Sequence, residues 1–381
     1  MIRVLYITGH GKGGSNVSLK NSILGLLKKD INAWVVVPDH ETKIYFESFN
    51  IPVEQVNFEA DYWPFLNNPY DYLKFIPRLL IKVFKNTYAR QKLTSIVNRF
   101  NPDIIHTNIS TIQLGYKIAR RMNIQHVWHI REYNTRDFGY KPIPTLRSLK
   151  SKLSDSYSIA ISKDIFSFYN LSHLRCRIIY NGVMATNDIP PRLENKGYFL
   201  YVGGITQGKG VDNLVSAFVH FLRQKPHSTL LLAGSGPSYF VDRVKRFVYD
   251  NHLQNKISFL GRSEEVYTLM ASARALIVPS LSEAFGRITA EAMFCHCPVV
   301  GYNNAGTKEQ FDNGLLLTNN EIGYRYNSEE ELINILSLLT DSEFNTEDII
   351  NRAYDTAIKL YSIESNVEYI YNYYREILIK K

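Results

Sequence analysis

Short runs of aliphatic and β-branched residues alternate with helix-length segments along the whole chain. Strands buried on both faces read as continuous apolar runs, so this rhythm predicts parallel sheets covered by helices on both sides. In the first half the predicted strands are Ile2–Ile7, Ala33–Pro38, Ile104–His106, His126–Ile130, Tyr157–Ile161 and Arg177–Tyr180. In the second half they are Tyr198–Val202, Ser228–Ala233, Lys256–Leu260, Ala275–Pro279 and Pro298–Tyr302. Between the halves, Thr186-Asn187-Asp188-Ile189-Pro190-Pro191 sets two prolines among polar neighbours and interrupts regular structure, which places a linker at 186–196. The expected architecture is α/β: two doubly wound, Rossmann-like domains at 1–185 and 197–355. The pattern after Glu329 is mainly helical, and 356–381 is expected to be a C-terminal helix packing back on the first domain.

Composition narrows the class. A chain of 381 residues with 45% apolar and 21% charged positions is globular and exceeds one ordinary core. No apolar run approaches the roughly 18 residues of a membrane span, and Met1–Ile7 enters a strand without signal-peptide architecture, so a cytoplasmic location is expected. Three cysteines are too few for a disulfide framework. Cys295-His296-Cys297 lacks the further ligands a zinc site needs, and reads as buried small residues leading into the strand from Pro298; no metal is expected.

A net charge of +8 favours an anionic partner. Between Tyr70 and Phe100, Lys74, Arg78, Lys82, Lys85, Arg90, Lys92 and Arg99 face a single acid, Asp71, with aromatic and aliphatic residues interleaved. Two readings of residues 70–100 stay open: a basic amphipathic helix on the anionic inner membrane face, or an ordinary surface helix packed on its domain. No nucleic-acid motif accompanies these charges, so nucleic acid is not expected as a partner.

Two glycine motifs invite familiar readings. Gly9, Gly11 and Gly14 fit G-x-G-x-x-G after the first strand, with Asp39 where a dinucleotide-binding fold keeps its ribose acid; alone they suggest an NAD-dependent oxidoreductase. Residues 203–210 match a P-loop through Lys209, then place Gly210 where the magnesium-holding Ser or Thr belongs. What survives is a glycine loop after a strand, bearing a lysine able to neutralise a diphosphate.

Downstream, Glu283 and Glu291 stand eight positions apart in Ser280–Met293. With a helix beginning near Gly286, Glu291 falls about one and a half turns in, and Glu283 sits in the preceding loop. Phe285, Gly286 and Arg287 would offer backbone N–H groups to a phosphate, and the two carboxylates could hold sugar hydroxyls. The plainer reading is a helix-leading acid and a surface glutamate.

Taken in order, these stretches resemble the family 4 glycosyltransferases, a retaining group with the GT-B fold, two Rossmann-like domains facing across a cleft, and an E-x7-E hallmark. The likeness is strongest from Ile178 to Gly314: Ile178-Ile179-Tyr180-Asn181-Gly182-Val183, Val202 to Val211, Leu231 to Pro237, Phe259-Leu260-Gly261-Arg262, Pro298 to Gly301 and Gly306-Thr307-Lys308-Glu309. The resemblance implies Lys209, Glu283 and His129 as catalytic. It implies a donor site of Gly14, Gly204, Lys209, Gly234, Gly261, Arg262, Glu283, Ala284, Phe285, Gly286, Arg287 and Glu291, and an acceptor side of Gly13, His129, Arg131 and Glu132.

The implied reaction moves a sugar from a nucleotide-diphosphate sugar, the co-substrate, to a lipid-linked or oligosaccharide acceptor in surface polysaccharide synthesis such as capsule or O-antigen. No cofactor is implied, and with no D-x-D in the chain the reaction should be metal-independent. Relatives often carry arginine where this chain has Gly204; Arg287 or Arg131 could replace it. Relatives also keep a histidine near the end of the first-half strand, a role open to His129 or Arg131. The oxidoreductase and a sugar-nucleotide epimerase remain the alternatives.

Overall fold

The structure, a computed structural model, describes residues 1–66 and 68–380. It divides into unit 1, Met1–Gly182 together with the chain from Asn366 on, and unit 2, Val183–Ser365.

Unit 1 is built on β1 (Ile2–Ile7), β2 (Ile31–Val37), β3 (Val53–Gln55), β4 (Ile104–Thr107), β5 (Gln125–Ile130), β6 (Tyr157–Ala160) and β7 (Cys176–Ile178). All pairs are parallel, in the order β3-β2-β1-β4-β5-β6-β7. Its helices are α1 (Gly14–Leu26), α2 (His40–Glu47), α3 (Pro69–Phe100), α4 (Leu114–Met122), α5 (Thr135–Phe138), α6 (Leu146–Ser154) and α7 (Lys163–Tyr169). Val4, Leu5, Tyr6 and Ile7 are all buried, as a strand covered on both faces requires.

Unit 2 repeats the plan with β8 (Phe199–Val202), β9 (Leu230–Ala233), β10 (Ile257–Gly261), β11 (Ala275–Val278), β12 (Val299–Tyr302) and β13 (Tyr324–Tyr326). Their parallel order is β10-β9-β8-β11-β12-β13. The helices are α8 (Val211–Gln224), α9 (Ser238–Asp250), α10 (Val266–Ala271), α11 (Arg287–Phe294), α12 (Ala305–Thr318), α13 (Glu329–Leu339) and α14 (Glu347–Tyr361). A last helix, α15 (Ile363–Ile379), gives unit 1 its residues from Asn366.

In each sheet the strand order reverses, between β1 and β4 and between β8 and β11, so the loops leaving those strands diverge and open a crevice at the carboxyl ends. The Gly9–Gly14 turn follows β1, and the Lys209 and Glu283 loops follow β8 and β11. Two edge strands escaped the hydrophobic pattern: Val53-Glu54-Gln55 and Tyr324-Arg325-Tyr326 are three residues long and carry polar centres.

The unit boundaries differ from those expected. The chain changes unit at Gly182 and again at Ser365, so 186–196 and 356–365 belong with unit 2. Hydrogen bonds explain this. Val183 N–H donates to Tyr361 O at 2.8 Å, Ile363 N–H to Met184 O at 3.0 Å, and Arg192 forks onto the Glu347 carboxylate. The proline-rich segment is thus stitched to α14, not a free tether.

Helix α3 starts on a capping box between Asn68 and Asp71, with Pro69 at its first position. Its second half packs Ala89, Leu93, Ile96 and Val97 into the core beside β1 and β4. Its first half stays on the surface, with Leu73, Leu80 and Phe84 exposed, so the packed-helix reading of residues 70–100 holds for the second half only.

Candidate functional site

In unit 2 the glycine loop after β8 and the loop after β11 touch. Leu281 N–H reaches Gly208 O at 3.3 Å. Gly210, at φ +66, lies so near Pro279 that a Cβ would come within 2.2 Å of the proline carbonyl oxygen. Lys209 ends a one-turn 3₁₀ segment ahead of α8, and this closeness sets its Nζ 2.5 Å from Glu283 Oε1. Ser280 Oγ donates to the same oxygen at 3.1 Å. The pair is part-exposed, 34% for Lys209 and 21% for Glu283, so both ends can meet a ligand.

The loop carrying Glu283 is held from the opposite side. Gly306 N–H donates to Glu283 O at 2.9 Å, and Gln310 Nε2 donates to Phe285 O at 2.5 Å and Gly286 O at 2.9 Å. With the carbonyls tied down, Gly286 takes φ +79 and opens α11 without any side-chain cap among the described residues. The start of α11 is the positive end of its dipole, which favours an anion beside it. Glu291 sits on the second turn, its Oε1 3.1 Å from Arg287 Nη2, and that arginine also reaches Val183 O at 3.5 Å. Tyr267 lies beside them, its phenol pushed up to about 12 by burial and by the Glu291 charge.

The turns after β8, β9 and β10 complete this wall. Gly234 N–H donates to Gly261 O at 2.7 Å, and Arg262 Nε donates to Ser235 Oγ at 3.0 Å. The Tyr201 hydroxyl donates to Gly204 O at 2.7 Å. The Phe285 ring is buried against Tyr361, centroids 5.6 Å apart, and its carbonyl is held by Gln310.

Unit 1 brings a second set together. Asn16, one turn into α1, donates to Gly9 O at 3.0 Å and Gly11 O at 2.7 Å, and accepts from Thr8 Oγ1 at 2.5 Å. It thereby holds the glycine turn, while Gly13, the uncapped N-cap of α1, and Gly14 present the helix start. Arg131 Nε donates to Asn108 Oδ1 at 2.7 Å, and Nη1 to Asn181 Oδ1. Its Nη2 lies 3.3 Å from His129 Nδ1.

His129 Nδ1 is also 3.3 Å from His106 Nε2, and the Tyr374 hydroxyl is 2.6 Å from His106 Nδ1. An arginine only donates, so His129 Nδ1 accepts and its proton sits on Nε2, a tautomer assigned from these partners. Burial, followed by the Arg131 charge, holds both His106 and His129 well below the usual histidine range. His129, expected to be catalytic, is 1% exposed, with Arg131, itself 6% exposed, against its ring. Glu132 has its carboxyl pushed up to about 7, chiefly by burial.

Residues 186–356 match the family described as glycosyl transferases group 1. The match lies inside unit 2, covers less than half of the chain, and contains Lys209, Glu283 and Glu291. Over 241 residues the chain is 28% identical to an uncharacterized glycosyltransferase of Methanocaldococcus jannaschii, covering 59% of this chain and 64% of that protein. Over 177 residues it is 28% identical to the O-antigen chain mannosyltransferase of Salmonella typhimurium, covering 46% and 48%. The chain thus spans less than two thirds of the length of these relatives. Among solved structures, Anabaena HepE in complex with UDP superposes with a TM-score of 0.76 at 20% identity, covering 98% of this chain and all of that one. Sucrose-phosphate synthase from Thermosynechococcus elongatus gives 0.73 at 18%, with full coverage of both chains. At such identity the likeness speaks for the fold, and the fold is GT-B.

Asp39, the expected ribose acid of a dinucleotide site, is occupied otherwise. It caps α2 through Thr42 N–H at 2.8 Å and lies 2.8 Å from His10. Sequence reasoning passed over Asn16, Asn108, Asn181, Ser280 and Gln310. Asn16 carried a signal, because an asparagine one turn into a helix is a weak helix former suited to bonding nearby backbone. Gln310 carried none, since its partners lie 24 and 25 residues away.

Proposed function

We propose that the chain is a retaining glycosyltransferase that uses a nucleotide-diphosphate sugar, with unit 2 as the donor side. The observation that carries this reading is the Lys209–Glu283 pair beside the uncapped start of α11, framed by the glycine turns after β8, β9 and β10. In this reading Lys209, Arg287 and the positive dipole end of α11 receive the diphosphate, so negative charge developing on the leaving group meets fixed positive charge. Glu283 accepts hydroxyls of the transferred sugar, Glu291 those of the ribose, and the backbone at Gly261 and Arg262 cradles the base. Arg287, not Arg131, stands in for the cation absent at Gly204, because it shares a unit with Lys209 and Glu283.

The positive charge these groups supply makes the reaction metal-independent. Retention follows same-face substitution: the C1–phosphate bond breaks, the departing phosphate oxygen takes the acceptor hydroxyl's proton, and the acceptor oxygen bonds C1. Gly13, Arg131 and Glu132 form the acceptor side, with His129 as a positioning residue and Gly14 kept for the donor. The acceptor is lipid-linked, met at the cytoplasmic face of a membrane during surface polysaccharide assembly; the Salmonella relative's name supports that context.

Replacing Lys209 or Glu283 by alanine is expected to lower turnover by about 100-fold or more while the melting curve is unchanged. Sugar transfer from a panel of nucleotide sugars, with anomeric configuration read by NMR, tests both activity and stereochemistry. Wild-type turnover in either variant would sink the assignment.

A further inference from the structure

The first half of α3 is built inside out. Leu73, Ile76, Leu80, Ile81, Val83 and Phe84 are each between 55% and 76% exposed. At 100° per residue they fall on the outer arc of the helix. Three basic residues lie off that arc and are engaged within the unit. Arg78 Nη1 pairs with Asp71 at 2.7 Å, Lys82 Nζ donates to Tyr62 O at 2.6 Å, and Lys85 Nζ pairs with Glu59 at 2.7 Å.

After Tyr88 the order reverses. Ala89, Leu93, Ile96 and Val97 are buried, and Arg90, Gln91, Lys92 and Asn98 face outward, as on any amphipathic surface helix. One helix therefore shows water a polar face over its second half and an apolar face over its first. The apolar stretch is continued before the helix by Phe65 and Leu66, 37% and 43% exposed.

We propose that the outer face of residues 70–88 is a membrane-insertion surface, embedded in the plane of a lipid leaflet by apolar contact. The occupant is argued from the fringe of the strip. Tyr70 and Tyr72 stand at one end and Tyr88 at the other, each 62% to 66% exposed, where amphipathic rings suit the headgroup level. Lys74, its ammonium 4.9 Å from the Tyr70 ring centroid, flanks one end, and Arg90 flanks the other, placed for lipid phosphates. No helix of the described residues is long and apolar enough to cross a membrane, so this one lies in the interface.

This deepens the membrane part of the proposed function and changes its physics. With Arg78, Lys82 and Lys85 paired within the unit, attachment comes from apolar burial, not from charge. The chain should float with neutral phosphatidylcholine vesicles, and should still do so in about 1 M NaCl, where the screening length is about 3 Å.

The test is flotation of the full chain on neutral and on anionic vesicles at low and high salt. Leu73→Glu/Leu80→Glu/Phe84→Glu is expected to cut the floated fraction about 10-fold or more, with melting temperature and nucleotide-sugar binding unchanged. If that variant does not fold, Leu73→Ser/Leu80→Ser should show the same direction. The proposal is overturned if the wild type stays at the bottom with both vesicle types, or floats only on anionic vesicles and is released by salt. It is also overturned if the wild type is a dimer in sedimentation that the triple variant makes monomeric, since a second copy then covers the face. A chain that floats yet binds no nucleotide sugar upholds this surface and removes the transferase reading alone.

Discussion

Gly234 shows how single positions shape the candidate site. It sits at φ +157, and a Cβ there would come within 1.8 Å of Gly203 O, a backbone atom with no rotamer to yield. Gly234→Ala is expected to cost about 2 kcal/mol or more in urea unfolding, through the strained φ and the forced separation of the two turns. Gly208→Ala is the control: a Cβ there meets nothing within 4 Å, and stability should stay within about 0.5 kcal/mol of wild type. Equal losses in both variants would refute the close approach of the turns. At Tyr374, removal of the hydroxyl leaves buried His106 Nδ1 without its 2.6 Å partner, so Tyr374→Phe should cost about 1–3 kcal/mol.

At the scale of elements, α15 completes unit 1. Val367, Ile370, Tyr373, Tyr374 and Ile377 are buried, and Asn366 Nδ2 donates to Tyr180 O at 2.7 Å. Gly25 in α1 makes room for the helix, since a Cβ there would lie 2.3 Å from Val367 Cγ2. A chain ending at Ser365 is expected to lose the cooperative unfolding of unit 1, seen as rapid proteolysis within residues 1–182 while 183–365 resists. Uniform resistance would show that α15 is dispensable. Helix α11 works differently: it is short, and its value lies in its start, where Gly286 turns the chain and Gln310 holds the two preceding carbonyls.

For the whole molecule, the buried histidines set the response to acid. His106 and His129 are held well below the usual histidine range by burial, and His126 is pushed down to about 3 by the same cause. In the unfolded chain each takes a proton near pH 6.5, which the folded chain refuses, so stability is present above that pH and falls as pH drops below it. Glu132 opposes them. Its folded carboxyl stays protonated up to about 7, so between about pH 4.5 and 7 the folded state holds a proton the unfolded state releases, and its contribution grows as pH falls. Three depressed histidines outweigh one raised glutamate, so the net direction is a loss of stability as pH falls from about 6 toward 4.5. The urea midpoint should therefore be lower at pH 5 than at pH 7; an equal or higher midpoint would show that these rings are not neutral in the folded state.

The sequence by itself determined the alternation of strand and helix, the two-part plan, the loops bearing Lys209 and Glu283 and the helix bearing Glu291, because these follow from local periodicity and from glycine placement. It could not settle what depends on distant partners. The ends of the units were decided by Val183 and Arg192 bonding to α14, nearly 180 and 155 residues away. The seat of His129 against Arg131 came from Asn108, His106 and Tyr374 converging through the sheet and α15. The division of α3 into a packed and an outward half came from where Glu59 and Tyr62 lie, which engages Lys85 and Lys82. Hydrophobic period tells which residues share a face; only the tertiary structure decides which way that face points.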